Sequence, residues 1–170
     1  MNKILARWNS ATQEEAIQEI LPCCGSTAWA EKMVNRRPFS SERSLLLASD
    51  RVWFGLSWAD WLEAFGSHPR IGEHFTKAAA ASVSEGWSVE EQSNVAAAQD
   101  QTKRDLSEGN RAYEQKFGHI FIVCATGKSA AEILEILRRR MQNEGGAELR
   151  EAAEQQRQIT QLRLKKWLGI

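Results

Sequence analysis

Apolar residues recur along the chain at the three-and-four spacing of helices, and the gaps between the stripes carry caps and stops. Ser10 with Gln13 fits a capping box ahead of Ala16, Ile17, Ile20 and Leu21, and Pro22 and Gly25 mark the stop. Ser26 opens a second helix with Trp29, Ala30, Met33 and Val34 on one face. It ends before Pro38, because proline disfavours helix at the residue preceding it. Ser40 or Ser41 opens a third, carrying Leu45, Leu46, Leu47, Val52 and Trp53. Ser57 with Asp60 begins a fourth, with Trp61, Leu62 and Phe65 as its stripe and Gly66 as its end. A turn over 66–72 leads to an alanine-rich helix predicted from Glu73 to Val83. Ser88 and Glu91 match another capping box, opening a long helix toward Phe117 that Gly109 could interrupt. Ser129 and Glu132 repeat the pattern before Ile133, Leu134, Ile136, Leu137 and Met141, with Gly145-Gly146 as the stop. The last helix starts near Ala147 and turns Leu149, Ala152, Ala153, Gln156, Ile159, Leu162 and Trp167 inward.

One stretch breaks the helical rhythm. His119 to Ala125 is a β-branched apolar run between Gly118 and Gly127, which favours a buried strand. The chain offers no second strand of similar quality, so the run reads as a buried extended segment between helices. The expected architecture is all-α, one domain over 1–170, a bundle of about eight helices with that one extended insert.

Composition narrows the function classes. A chain of 170 residues can bury a sizeable core without disulfides or a structural metal. Its 22 basic and 22 acidic side chains cancel, which does not recommend a nucleic-acid binder. Arg138, Arg139 and Arg140 read as the solvated C-terminal end of a helix. Three cysteines, with Cys23 and Cys24 adjacent, make a poor disulfide framework and fit a reducing compartment. The first ten residues lack the apolar run of a signal peptide, and no stretch approaches the about 20 apolar residues of a membrane span. The simplest location is the cytoplasm of a bacterium.

Three places could carry chemistry. His68 sits in a glycine-bounded turn before Pro69, which restricts its backbone; it is either an acid–base group near neutral pH or a plain surface histidine. Ser88, Glu91 and Gln92 are either the mouth of a helix or a polar cluster at a site, and the two are compatible. Arg163 lies four residues from both Ile159 and Trp167 and shares their face. It either snorkels to water or meets an anion, to which its planar fork is suited. His68, His74 and His119 show no metal-ligand spacing, so no metal is expected. Gly127-Lys128-Ser129 echoes the end of a phosphate loop, but Ile122 stands where the earlier glycine belongs, and no cofactor loop is expected.

Together these residues resemble a known family, the 2-oxo-4-hydroxy-4-carboxy-5-ureidoimidazoline decarboxylases. The resemblance covers nearly the whole chain. Cys23-Cys24-Gly25-Ser26 with Trp29-Ala30, Arg37-Pro38-Phe39, His68-Pro69-Arg70-Ile71-Gly72 and Ser88-x-x-Glu91-Gln92 carry it. So do Phe117 to Ala125 and Leu162-Arg163-Leu164. It implies a helical bundle, usually a homodimer, that acts without cofactor on a small ureidoimidazoline. The family's catalytic histidine matches His68, with Pro69 beside it. Its substrate-binding serine, glutamate and glutamine match Ser88, Glu91 and Gln92, and its C-terminal arginine matches Arg163. Its substrate-contacting backbone maps onto Phe121, Ile122, Val123, Cys124 and Ala125. The implied reaction yields (S)-allantoin, the last step from urate, with His68 moving the protons and Glu91 and Arg163 beside it. A ureide binder without turnover and a purely structural helical adaptor are the alternatives. The adaptor leaves the rigid histidine turn and Arg163 without a purpose.

Overall fold

A computed structural model describes residues 2–72 and 83–170. The alanine-rich helix predicted from Glu73, with His74 in it, lies outside the described residues. Ten helices are present among the described residues. They are α1 (Lys3–Ser10), α2 (Gln13–Cys24), α3 (Thr27–Val34), α4 (Glu42–Phe54), α5 (Trp58–Gly66), α6 (Val83–Glu91), α7 (Ser93–Ala96), α8 (Asp100–Phe117), α9 (Ala130–Arg140) and α10 (Gly145–Leu168). By internal contacts the chain divides into two units, Met1–Ala64 with Arg157–Ile170, and Phe65–Gln156. No helix among the described residues is long and apolar enough to cross a membrane.

In the first unit, local chemistry sets most helix boundaries. Asn2 accepts from the N–H groups of Ile4 and Leu5 and starts α1, a helix the apolar pattern does not announce. Ser10 is therefore the last residue of α1 and not the cap of α2. That cap is Thr12, in a capping box with Glu15. Pro22 lies inside α2, and the helix stops three residues later at Gly25, whose φ of +84° suits only glycine at low cost. Ser26 caps α3, Ser41 with Ser44 caps α4, and Ser57 with Asp60 closes a capping box at α5, as the sequence predicts. α3 packs on α2 and α4. Leu5, Trp8, Trp29, Met33, Leu45 and Trp53 form the core of this unit. Leu47 and Leu162 are exposed, contrary to the helical stripes on which they were placed.

In the second unit, the long helix expected from Ser88 is three helices. α6 already runs through Ser88 and ends at Glu91, so these two residues are not a capping box. Ser88 Oγ instead donates to the Ser84 carbonyl at 3.0 Å, one turn back in the same helix. Gln99, extended at ψ 147°, then starts α8. Gly109 does not interrupt α8. A Cβ there would overlap the Leu137 side chain, so the glycine lets α8 and α9 approach closely. Ser129 and Glu132 cap α9 as predicted, and α9 closes at Arg140. Gly145 and Gly146 open α10 instead of ending α9, with the Glu144 carbonyl accepting from Glu148 N–H. Arg138 and Arg139 are exposed, but Arg140 is fully buried, against the expectation of a solvated run. Residues 120–125 lie in neither helix nor strand, and Phe121 to Ala125 are buried, as the apolar run predicts. Phe121 and Val123 join Leu106, Tyr113, Ile133 and Leu137 in the core.

Candidate functional site

His68 follows the end of α5, and its N–H bonds the Phe65 carbonyl at 3.1 Å. The ring is half-buried. Its Nε2 lies 2.7 Å from Oε1 of Gln156, a fully buried residue of α10. An amide oxygen only accepts, so this contact favours the ring form with its proton on Nε2.

The rest of the turn is clamped from three sides. Asn110 Nδ2 donates to the Ile71 carbonyl at 2.7 Å, and Gly72 N–H donates to Gln92 Oε1 at 3.1 Å. Arg70 forks onto Glu114, with Nε–Oε1 at 2.5 Å and Nη2–Oε2 at 2.9 Å. The Arg70 hydrogen bonds hold the Glu114 carboxyl below the usual carboxylate range. Gln92 thus holds the histidine turn through its amide oxygen. Ser88 is buried, and Glu91 is half-buried at the end of α6.

The extended segment lacks a partner strand among the described residues, so side chains occupy its backbone groups. Arg140 Nη1 donates to the Ile122 carbonyl at 2.6 Å and Lys128 Nζ to the Cys124 carbonyl at 2.7 Å. Cys124 N–H donates to Gln155 Oε1 at 2.9 Å. Among the described residues, no hydrogen bond is made by the N–H groups of Ile122, Val123 and Ala125. Main-chain donors of this kind are consumed inside helices, and here they are left over among the described residues.

Arg163 belongs to the first unit. It is 1% exposed, which removes the snorkelling alternative, and its Nη1 donates to the Pro22 carbonyl at 3.3 Å. Burial pushes the nearby Cys23 thiol up and the Cys24 thiol up to about 12, so both stay protonated at neutral pH and are poor nucleophiles. Among the described residues no group of His, Cys, Asp and Glu is placed to hold a metal ion.

The second unit therefore holds His68, Pro69, Ser88, Glu91, Gln92 and Phe121 to Ala125, while Arg163 stands in the first. Sequence reasoning missed Gln156 as the partner of His68, although a polar residue on the inward stripe of the last helix was the available signal. It also missed Arg140 and its partner Glu148. Arg140 continues the spacing of Ile133 and Leu137, and that face is buried.

A family model described as OHCU decarboxylase matches residues 9–165. The "Uric acid degradation bifunctional protein TTL" of Arabidopsis thaliana is 39% identical over 145 residues, 85% of this chain and 44% of that protein. The "2-oxo-4-hydroxy-4-carboxy-5-ureidoimidazoline decarboxylase" of Haloferax volcanii is 30% identical over 135 residues, 79% of this chain and 77% of that protein. A bifunctional uric acid degradation protein of Bacillus sp. (strain TB-90) is 27% identical, with 95% of this chain and 31% of that protein covered. The chain thus spans less than half the length of the two bifunctional relatives. Among solved structures, an OHCU decarboxylase crystallised in the presence of (S)-allantoin is 33% identical with a TM-score of 0.78, covering 94% of this chain and all of that one. An (S)-allantoin synthase, 20% identical with a TM-score of 0.70, shares the fold. A family model that runs through most of the chain, and relatives at this identity, show that the chain belongs to the OHCU decarboxylase family.

Proposed function

We propose that this chain decarboxylates 2-oxo-4-hydroxy-4-carboxy-5-ureidoimidazoline to (S)-allantoin, the last step from urate, as a single catalytic domain over 1–170. The observation that carries the reading is the likeness to the solved decarboxylase crystallised with (S)-allantoin, which this chain matches over that protein's whole length. The tautomer that Gln156 favours on His68 supports it.

The substrate carries a carboxylate and a hydroxyl on one ring carbon, beside an imine. When the carbon–carboxylate bond breaks, its electron pair forms a double bond to the neighbouring carbon, and the imine nitrogen takes up the displaced pair with a proton. The hydroxyl then loses its proton as the carbonyl forms, and the neighbouring carbon gains one. The sum is loss of carbon dioxide and uptake of one proton. His68 is assigned the hydroxyl proton and its return to one ring face, which makes the product stereospecific. The N–H groups of the 121–125 segment, held out of any helix, are assigned to ring or carbonyl oxygens, where fixed donors stabilise developing charge. Pro69 fixes the turn. Ser88, Glu91 and Gln92 are assigned to ring or ureido groups, and Arg163 to an anionic or carbonyl oxygen. Those four roles rest on the family correspondence.

The same correspondence supports a homodimer acting without cofactor, and three buried free cysteine thiols suit a reducing, cytoplasmic setting. The test is to generate the unstable substrate freshly from urate and follow optical activity. Faster appearance of (S)-allantoin, lost by about 10²–10⁴-fold in His68→Ala, is the expected outcome. Binding of (S)-allantoin without acceleration would make the chain a ureide binder and end the enzymatic reading.

A further inference from the structure

Arg140 and Glu148 form an ion pair with both side chains 0% exposed. Such pairs are weak stabilisers, because desolvation offsets their attraction, and apolar residues of similar size often serve as well. The pair therefore calls for a role that an apolar residue could not fill. Arg140 directs Nε and Nη2 to Glu148 Oε1, at 2.8 and 2.5 Å, which leaves Nη1 for the Ile122 carbonyl at 2.6 Å. The guanidinium carbon also lies 4.7 Å from the centroid of the Phe121 ring, whose other neighbour is Tyr113, edge-on at 5.2 Å. Glu148 is itself held: Tyr113 donates its hydroxyl to Oε1, and Asn143 Nδ2 donates to Oε2 at 2.7 Å. Burial pushes the Tyr113 hydroxyl up, so it remains a donor at every physiological pH.

A peptide unit is planar, so the carbonyl of Ile122 and the N–H of Val123 share one plane and point in opposite directions. Fixing the Ile122 carbonyl fixes the direction of the Val123 N–H, which makes no hydrogen bond among the described residues. We infer that Arg140, braced by Glu148, is a positioning residue that orients the Ile122–Val123 peptide and so aims the Val123 N–H at the substrate. The inference rests on the decarboxylase reading. It makes a buried charge part of the reaction machinery without any contact to the reacting atoms.

The test uses the full chain with Arg140→Met and Glu148→Gln together, which removes both charges, keeps the volumes and leaves an acceptor for Tyr113. The expected result is a melting temperature within a few degrees of the parent's, with kcat and kcat/KM both lower by about 10–100-fold, the scale of a small displacement at a reacting centre. Amide hydrogen exchange at Val123, read by NMR, should be faster than in the parent. A parent-like kcat at a parent-like melting temperature would overturn the inference. Should the double variant not fold, Arg140→Lys decides, because it keeps a charge beside Glu148 but lacks the fork that also reaches Ile122. Parent-like kcat with parent-like Val123 exchange in the lysine variant overturns the inference as well. A parent protein that does not form (S)-allantoin defeats the decarboxylase reading instead. In that event unchanged Val123 exchange in the variants still refutes, and faster exchange still supports, the claim that Arg140 orients this peptide.

Discussion

Replacing Gln156 by methionine removes the amide oxygen that faces His68 Nε2. The side chain is fully buried, and methionine occupies a similar volume without an acceptor for Nε2–H. Losing a hydrogen bond between neutral groups costs about 0.5–1.5 kcal/mol of stability. For a chain of this length that corresponds to a melting temperature lower by roughly 1–6 °C. The effect on the reaction should be larger. On the proposed mechanism His68 becomes an imidazolium as it takes the hydroxyl proton, and a hydrogen bond to a charged group is worth about 1.5–3 kcal/mol. The free enzyme loses the weaker neutral bond as well, so only the difference of about 1–1.5 kcal/mol counts, and at 1.36 kcal/mol per tenfold kcat/KM falls by about 5–13-fold. The assay is the optical-activity measurement on freshly generated substrate, run beside thermal unfolding of the same preparations. A Gln156→Met protein within twofold of the parent, while His68→Ala is severely impaired, would show that the Nε2 contact does not serve the proton transfer.

Glu91→Gln should fold normally and lose most activity, since an amide presents a donor where the carboxylate offers only acceptors. Full activity at an unchanged melting temperature would remove Glu91 from the site. Arg163→Lys keeps the charge and loses the planar fork, so weaker substrate handling is expected; kinetics equal to the parent's would reduce Arg163 to a point charge. The Arg70–Glu114 fork predicts a pH signature. The carboxyl is held below its ordinary value, so its stabilising effect is present above about pH 4.3 and fades as pH falls through the lowered pKa. The melting-temperature difference between the parent and Arg70→Met should be clear at pH 6 and shrink as the pH falls through the lowered pKa; a difference that does not depend on pH would mean the fork contributes only packing.

The helical plan was readable where caps act locally. Ser26, Ser41, Ser57 and Ser129 each bind N–H groups a few residues away, and nothing distant alters that. The pattern failed where two solutions compete at one motif. Ser88 and Glu91 have capping-box spacing, yet a helix that has already begun at Val83 offers Ser88 a carbonyl one turn back. Gly145-Gly146 carries the same ambiguity, because glycine suits a helix end and an uncapped helix start alike. The histidine turn was legible from Pro69 and its flanking glycines, and the buried non-helical segment from its β-branched residues. Gln156 and Arg140 were not singled out, because their partners are 88 and 18 residues away in the chain. A polar group on an inward face shows that it needs a partner without showing which one.

The extended segment has a consequence for how this protein responds to mutation. On the proposed reading its recognising groups are main-chain amides, while the side chains of Phe121 and Val123 belong to the core. An alanine scan of 121–125 would leave every one of those amides in place and report only on packing. Sequence drift within the segment can be wide, provided that each new side chain fills the core. The positions that register damage to recognition lie elsewhere, at Lys128, Arg140 and Gln155, whose side chains hold the backbone from outside. A mutational map read one residue at a time would draw the binding surface in the wrong place.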